Sequence, residues 1–242
     1  GGVMPEYLVL RFEAPMQSWG SEAIDPRRPT GAHPRRSALA GLMGNALGWR
    51  HSDVDRLNQL QDALQFATRE DRAPDRMWDY QTVDLGQLSG FGRWGPTSPG
   101  GAFKEGTHIL RKEYLADASF TVALGLAPDY DEVSLGDLAE ALQRPARPLF
   151  LGRKSCPPAT LITGGTVEAP TAAKALQHIP LAPGTDGGSK RVWFQEGQMD
   201  PAPGDRVDRG WQRRNFRSSR FDAMERMVER RIEFGAADAP GE

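Results

Sequence analysis

Four arginines stand just before a predicted helix, in the stretch Pro-Arg-Arg-Pro-Thr-Gly-Ala-His-Pro-Arg-Arg-Ser at residues 26–37. Apolar residues at helical spacing follow, which predicts a helix over residues 37–48 that Ser37, or a residue just before it, caps. A helix N-terminus carries partial positive charge, so Arg35 and Arg36 are unfavourable there unless an anion docks. Amide groups, the helix dipole and guanidinium groups all attract phosphate. The pattern therefore indicates a phosphate site, with a solvated loop before an ordinary packed helix as the alternative.

A second group of arginines is interleaved with aromatic residues over residues 206–220. Its members are Arg206, Arg209, Arg213, Arg214, Arg217 and Arg220, with Trp211 and Phe216 between them. Guanidinium groups bind phosphates and aromatic rings stack on bases, so the pattern is typical of nucleic-acid contact. The alternative, a genomic bias towards arginine, would explain the shortage of lysine but not the clustering. A third basic pair, Arg153 and Lys154, follows a Leu-Gly turn and is placed to contact RNA or a partner.

Alternating strands and helices must position these residues. Periodicity predicts strands at 7–12, 66–69 and 119–124, and helices at 37–48, 53–64 and 134–142. This order fits a ferredoxin-like fold of the RNA-recognition-motif kind. Between residues 84 and 106, glycine, proline and serine recur without apolar period, which indicates a long insertion that is flexible or ordered by a partner. Three aromatic residues interrupt the insertion: Phe91, Trp94 and Phe103.

The rest of the chain is predicted to be β-rich. Short strands are predicted at 149–151, 161–167 and 192–195, and a terminal helix at 221–232. We therefore expect an α+β protein in two parts. The first is a domain resembling an RNA-recognition motif over residues 4–148, and the second is a β-rich C-terminal extension over residues 149–242 that ends in a helix.

Composition restricts the chemistry that the chain can perform. The 242 residues carry a net charge of −2, so the protein is not a polycation, and no stretch approaches the apolar length of a membrane span. The one cysteine, Cys156, excludes an internal disulfide and fits a reducing cytoplasm. With only four histidines in the chain, it predicts no metal cluster. The sequence shows no paired carboxylates, Walker loop or nucleophile elbow, so no cofactor is expected.

Six short blocks of the sequence carry a family resemblance. They are residues 8–12 with 16–20, 28–31 with 34–48, 79–83, 111–124, 151–157 and 213–220. Their order and spacing resemble those of the CasD family, the subunits that hold the 5′ handle of the guide RNA in type I-E CRISPR Cascade complexes. The loop at 184–190 and the residues after 221 match least well, so nothing is carried over there.

The resemblance implies a core like an RNA-recognition motif and a β-hairpin thumb that grows from it, here roughly residues 80–112. Members of the family bind the eight-nucleotide, repeat-derived handle at the 5′ end of the guide RNA. They also contact the backbone and large subunits of Cascade, and they meet target DNA only through the complex. The implied partners are therefore guide RNA and Cascade subunits, with no membrane.

The expected RNA contacts fall in or beside the six blocks. They are Gln17, Trp19, Arg27, Arg28, Arg35, Arg36, Ser37, Tyr80, Arg111, Lys112, Arg153, Lys154, Arg214 and Arg217. Trp19 and Tyr80 could stack on bases or fill the core, and the sequence leaves both alternatives open. Phe91, Trp94 and Phe103 are expected to contact neighbouring subunits from the thumb.

No catalytic residue is expected. Metal-independent RNA cleavage needs a general base near a ribose 2′-hydroxyl and a cation on the developing phosphorane. His33 beside Arg35, or Lys104 with His108 and Lys112, could supply such groups, but neither spacing matches a strong motif. The equivalent subunit of type I-C systems resembles a metal-free ribonuclease. An endoribonuclease that processes CRISPR repeat RNA is therefore the alternative to a non-catalytic subunit.

Overall fold

The computed structural model describes residues 4–21, 26–84, 87–89, 92–94, 107–218 and 220–236. Its strands are β1 (Glu6–Glu13), β2 (Met16–Gln17), β3 (Trp19–Gly20), β4 (Arg27–Arg28), β5 (Thr30–Gly31), β6 (Leu64–Arg72), β7 (Asp75–Asp84), β8 (Gln87–Ser89), β9 (Gly92–Trp94), β10 (Thr107–Ala116), β11 (Ser119–Leu126), β12 (Thr163–Glu168), β13 (Gly188–Gln195), β14 (Arg206–Asn215) and β15 (Arg220–Phe234). Its helices are α1 (Arg36–Ala46), α2 (Val54–Ala63), α3 (Leu135–Gln143) and α4 (Ala172–His178). Within these described ranges, no helix combines the length and apolar character needed to cross a membrane.

Seven strands form the main sheet in the order β12-β1-β11-β6-β13-β15-β14, and every neighbouring pair is antiparallel. Along β1, Leu8, Leu10 and Phe12 face the larger of two cores, while Tyr7 and Val9 face the smaller one. Helices α1, α2 and α3 pack into the larger core, and α4 covers the opposite face. Because both faces are covered, the central strands are almost continuously buried.

The α+β class and most of the predicted elements are confirmed. α1, α2 and α3 lie where helices were predicted. β1, β6, β11 and β13 contain predicted strands, and β12 overlaps the strand predicted at 161–167. The sheet draws β1, β6 and β11 from before residue 148, and β12 to β15 from after it. The C-terminal part of the chain therefore completes the same sheet that the N-terminal part begins.

The predicted terminal helix at 221–232 is wrong, because these residues lie in β15. β15 pairs with β13 on one side and with β14 on the other, and Met227 is fully buried between them. Glutamate, arginine and methionine favour helices in isolation, but strand pairing on both sides overrides this propensity. The predicted strand at 149–151 is also wrong. This segment is a loop in which the Leu151 N–H donates to the Cys156 carbonyl over 2.7 Å.

β7 and β10 form a long antiparallel hairpin, with Asp75 opposite Ala116 at its base. Near the base, β10 also pairs with β2 and with β4. Residues 80–84 and 107–112 of these arms belong to the segment that the sequence assigns to a thumb. Phe91 and Phe103 lie outside the described residues, and so does the side chain of Trp94.

Arg36, the first residue of α1, joins this helix to two other elements. Its Nη1 donates to the carbonyls of Gln61 at 2.8 Å and Leu64 at 2.7 Å, at the C-terminal end of α2. Its Nε lies 2.6 Å from Glu225 Oε1 on β15, and the guanidinium lies over the Phe66 ring. Only 4% of Arg36 is exposed. These interactions therefore form out of water and fix the start of α1.

Replacement of Arg36 by alanine should lower the free energy of unfolding by about 3–5 kcal/mol, because two buried carbonyls and Glu225 lose their partner. Urea denaturation followed by circular dichroism measures the change. Arg144→Ala is the control, since that side chain is 81% exposed and lies 3.9 Å from Glu140. The control should change the free energy of unfolding by less than about 0.5 kcal/mol. Equal stability of the Arg36→Ala and wild-type proteins would contradict this role.

Candidate nucleic-acid interface

A cleft of about 730 Å³ lies between the start of α1, the loop at residues 150–154 and the turn that joins β14 to β15. We call it the basic cleft, because its described lining holds four cations and no carboxylate. The cations are Arg28, Arg153, Lys154 and Arg214. The lining also includes Phe150, Phe216 and Phe221, and, from α1, Ser37, Ala38, Gly41, Leu42 and Asn45. Such a surface can bind phosphates through its cations and bases or riboses through its aromatic rings.

Gly152 holds the 150–154 loop against the chain that follows β2. Its φ of +95° is a conformation that favours glycine. A Cβ at this position would lie 1.5 Å from the Ser18 carbonyl oxygen, so no other residue fits. The Ser18 N–H in turn donates to the Leu151 carbonyl over 3.0 Å. The Leu-Gly turn seen in the sequence is thus the anchor for the basic pair that follows it.

Arg153 both braces the basic cleft and lines it. Its two terminal nitrogens donate to the carbonyls of Glu113 and Arg28, each at 2.8 Å. Its guanidinium also lies 4.8 Å from the centre of the Tyr114 ring. Lys154 is exposed beside it. The loop therefore offers one cation in a fixed orientation and one that can adapt to an anion.

Gln61 of α2 fixes the opposite wall. The Arg214 N–H donates to Gln61 Oε1 at 3.0 Å, and Gln61 Nε2 donates back to the Arg214 carbonyl at 3.1 Å. Phe216 packs into the larger core two residues later. Arg214 is thereby held at the cleft. Arg217 is exposed, lies 3.5 Å from Asp55 and is not part of the cleft lining.

A second cationic surface, which we call the platform, lies on the β7–β10 hairpin. Arg27, Trp78, Asp79, Tyr80 and Arg111 line a depression of about 420 Å³ there. Trp78 and Tyr80 are 49% and 57% exposed, and the Arg111 guanidinium lies 5.6 Å from the centre of the Tyr80 ring. Tyr80 is therefore a surface residue and not a core one. Sequence reasoning missed Trp78, although its two-residue spacing from Tyr80 on a strand was an available signal.

β4 separates the basic cleft from the platform. Arg27 lines the platform and Arg28 lines the cleft, because neighbouring side chains on a strand point to opposite faces. β4 pairs in parallel with β10, where Arg27 lies opposite Arg111 and Arg28 opposite Lys112. Lys112 is half-buried and is not among the lining residues of either depression.

The structure places Gln17 and Trp19 in the core and not on an RNA-binding surface. Gln17 Nε2 donates to the carbonyls of Phe12 at 3.0 Å and Ala118 at 2.8 Å. Its Oε1 accepts a hydrogen bond from Trp19 Nε1, and the Trp19 ring packs against Phe12. Of the two alternatives that the sequence left open for Trp19, the structure therefore supports packing.

Arg35 and Arg36 are also buried, which corrects the expectation that they hold phosphates. Arg36 binds main-chain carbonyls, as described above. Arg35 packs so closely on Gly31 and Gly210 that a Cβ on either glycine would come within 3 Å of the guanidinium. Burial lowers the pKa of Arg35, and the nearby charge of Asp208 opposes this shift. Both side chains turn inward, away from the cleft.

His33 is fully buried, so it cannot approach a ribose in this structure. Its ring stacks on Trp193 with centroids 4.7 Å apart, and its Nε2 lies 3.4 Å from Asp208 Oδ2. The hydrogen bond with His33 lowers the pKa of Asp208. The other catalytic set that the sequence suggested cannot be placed, because Lys104 and the side chain of His108 lie outside the described part of the chain.

Comparison with known proteins finds one matching family and several similar chains. Residues 7–232 match the family model of CRISPR-associated protein (Cas_Cas5). The CRISPR system Cascade subunit CasD of Escherichia coli strain K12 is 39% identical over 181 residues, which span 72% of this chain and 76% of that protein. A chain of a CRISPR RNA-guided surveillance complex has a TM-score of 0.67 at 23% identity, covering 96% of this chain and 91% of that chain. A crystal structure of a Cas protein has a TM-score of 0.60 at 24% identity, with coverages of 98% and 100%. The two structures show that the fold is shared.

The ionised carboxylate of Asp208 should make stability depend on pH. A carboxyl group whose pKa is lowered in the folded state stabilises the fold fully above its unfolded pKa of about 3.9, and this contribution is lost as the pH falls through the folded pKa. Asp205 acts in the same direction, because its hydrogen bond with Arg230 lowers its pKa. We expect the free energy of unfolding to fall below about pH 5, and Asp208→Asn to flatten this dependence.

Urea unfolding between pH 7 and pH 3 measures the effect of Asp208. Asp205→Asn serves as a comparison, because it removes a second carboxylate of the same kind without touching His33. Identical pH dependence in the Asp208→Asn and wild-type proteins would show that the lowered pKa of Asp208 does not contribute to the stability of the fold.

Proposed function

Because this chain belongs to the CRISPR-associated protein family Cas_Cas5, we propose that it is a non-catalytic subunit of a type I-E Cascade complex that holds the 5′ handle of the guide RNA. The relative CasD is itself a Cascade subunit, and one similar chain belongs to an RNA-guided surveillance complex. In this role the partners of the chain are guide RNA and the other Cascade subunits. It works in the cytoplasm without a cofactor or a membrane, and it meets target DNA only through the complex.

The basic cleft is the observation that carries this proposal. Four cations with no carboxylate in the described lining create a positive potential that attracts a polyanion. The fork-shaped guanidinium groups suit phosphate oxygens, and the half-buried rings of Phe150 and Phe221 suit bases or riboses. A single strand exposes its phosphates and its bases together, so single-stranded RNA fits both halves of this chemistry.

The platform offers a second contact for the same strand. The volume of the basic cleft lies within the range of about 300–1,000 Å³ found for small-ligand sites, so it holds only part of a multi-nucleotide handle. Arg27, Tyr80 and Arg111 lie on the other side of β4 from the cleft, and the exposed ring of Trp78 joins them. We place the continuation of the handle there, with Lys112 and Arg217 as further cations near its path.

The β7–β10 hairpin is the part of the chain that we assign to contact with neighbouring subunits. The pairing of its arms gives a stiff base, and Met77 and Ile109 are exposed apolar side chains on it besides those of the platform. Isolated exposed apolar side chains are ordinary, but several on one projecting element favour a partner surface. In this proposal residues 80–112 are the thumb, and Phe91, Trp94 and Phe103 contact the backbone subunit.

Loss of the cleft cations Lys154 and Arg214 should weaken RNA binding and leave the protein folded. In the Lys154→Ala/Arg214→Ala double variant, the slope of log K against log salt should decrease by about 0.7 for each lost phosphate contact. Fluorescence anisotropy with a single-stranded RNA of the guide's 5′ sequence, at several salt concentrations, measures both affinity and slope. Arg144→Ala removes an exposed arginine outside the cleft and should leave both unchanged. An unaltered slope in the double variant would place the phosphates elsewhere.

The chain should bind repeat RNA without cutting it. We expect no cleavage when the purified chain is incubated with a repeat-containing transcript in chelator, and footprinting should show a short protected segment at the guide's 5′ end. His108→Ala tests the alternative, since loss of a general base reduces the rate of such a nuclease about 10²-fold or more. His33→Ala is the comparison, because His33 is buried. Site-specific cleavage that disappears in His108→Ala would instead establish a metal-independent endoribonuclease.

A further inference from the structure

Gly41 lies in the middle of α1, and packing does not explain why it is glycine. A Cβ built at this position meets no atom within 4 Å, so alanine would fit without strain. Glycine weakens a helix interior relative to alanine. Gly44, one turn later, is different: its Cβ would lie 2.5 Å from Leu57 Cδ2, so the contact between α1 and α2 requires glycine there. Gly41 therefore weakens the helix with no compensating contact inside the protein.

Gly41 also lies between two depressions. It lines the basic cleft, and it also lines a smaller pocket of about 180 Å³. Asn45 and Phe216 border both depressions, so the two adjoin each other at α1. The smaller pocket is completed by Trp49, Arg50, His51, Leu57 and Arg147. A ligand that extends from one depression into the other crosses the helix where it presents bare backbone.

The cations on the two sides indicate what kind of ligand crosses. The basic cleft holds four cations on one side of Gly41, and Arg50 is exposed on the other side. Arg147 is part of the pocket wall, and its guanidinium donates to the carbonyls of Gly48 and Trp49. None of the described residues that line either depression is acidic. The path therefore suits a chain with repeated negative charge that is thin enough to pass over a helix.

We propose that single-stranded RNA crosses α1 at Gly41, with its sugar–phosphate chain against the helix backbone and its next nucleotide in the smaller pocket. This inference rests on the proposed function and adds to it a steric determinant that carries no charge. Any side chain at position 41 projects into the path of the strand. Glycine makes the helix less stable than alanine would, but it lets the ligand approach the helix backbone closely.

The test uses the full chain with Gly41→Ala, Gly41→Leu and, as control, Gly136→Ala. Gly136 is a helical glycine in α3 whose Cβ would make only an ordinary 3.5 Å contact with Ser134. The probe is a fluorescein-labelled single-stranded RNA of the guide's 5′ sequence. Gly41→Ala should shift the unfolding equilibrium towards the folded state by up to about fivefold and yet weaken RNA binding. Gly41→Leu should weaken binding roughly tenfold or more, and Gly136→Ala should leave it unchanged.

Protection of a thiol gives a second measurement at the same position. Cys156 is the only cysteine of the chain and is buried, so Gly41→Cys introduces one accessible thiol. RNA at a concentration at which fluorescence anisotropy shows the Gly41→Cys variant to be saturated should slow the reaction of this thiol with a maleimide. The same RNA should not slow the reaction of a thiol introduced by Gly136→Cys. Equal reaction rates at position 41 with and without RNA would overturn the proposal.

The outcomes separate this inference from the proposed function. Normal RNA binding by both Gly41→Ala and Gly41→Leu would refute the crossing and leave the proposed function standing. Loss of stability together with loss of binding in Gly41→Ala would assign Gly41 to packing, and would also overturn the inference. A wild-type chain that binds no RNA alone, and that is recovered from Cascade without guide RNA, would refute the proposed function itself.

Discussion

Arginines that donate to main-chain carbonyls hold the ends of helices in this fold. Arg36 binds carbonyls at the end of α2, Arg69 binds carbonyls at the end of α4, and Arg147 binds carbonyls just after α1. The last carbonyls of a helix lack intrahelical donors and carry the negative end of its dipole. A guanidinium group there supplies hydrogen-bond donors and also a favourable positive charge. Each of these arginines comes from a distant part of the chain. The bonds therefore join elements as well as cap them, and they resolve the unfavourable position of Arg36 at the start of α1.

The basic cleft depends on the hydrogen bonds of Arg36, because Gln61 connects Arg36 to the cleft wall. The carbonyl of Gln61 accepts from Arg36, and its side-chain amide exchanges two hydrogen bonds with the backbone of Arg214. The core contact that fixes α1 and α2 thus also fixes one wall of the cleft. Buried cations are compensated by carbonyls or by carboxylates, as Arg69 is by Asp71, whereas the described cleft lining contains no carboxylate. The buried cations are therefore neutralised or hydrogen-bonded within the protein, whereas the cleft keeps a positive potential. Such a cleft suits a ligand that supplies negative charge.

Local patterns were sufficient to predict the elements that carry strong periodicity. β1, β11, α1 and α3 followed from apolar spacing, and the clustering of basic residues identified Arg28, Arg153, Lys154 and Arg214 before the structure brought them together. Local patterns could not distinguish Arg36 from Arg28. Each follows a proline by two residues, but the direction of a long side chain depends on carbonyls that lie far away in sequence.

The same limitation explains the misassigned terminal segment. β15 is rich in helix-forming residues, and only its two strand partners, β13 and β14, make the extended conformation favourable. The buried amide of Gln17 and the obligatory Gly152 were likewise invisible, because each is defined by a contact with a distant main-chain atom. Function-bearing cations could thus be predicted as a group, whereas their division into structural and ligand-facing members required the tertiary structure.

The two-residue strand β4 determines which arginine lines the basic cleft and which lines the platform. β4 turns Arg28 to the basic cleft and Arg27 to the platform, so a shift of one residue in its pairing with β10 would exchange them. Two contacts oppose such a shift: the Arg28 carbonyl accepts from Arg153, and the Thr30 N–H donates to Glu113 Oε2 at 3.0 Å. Both contacts lead back to Glu113 on β10, because Arg153 also donates to its carbonyl. In the proposed function, the register of this short strand therefore sets where the RNA passes from one surface to the other, and the strand can be short because side chains from outside it hold it in place.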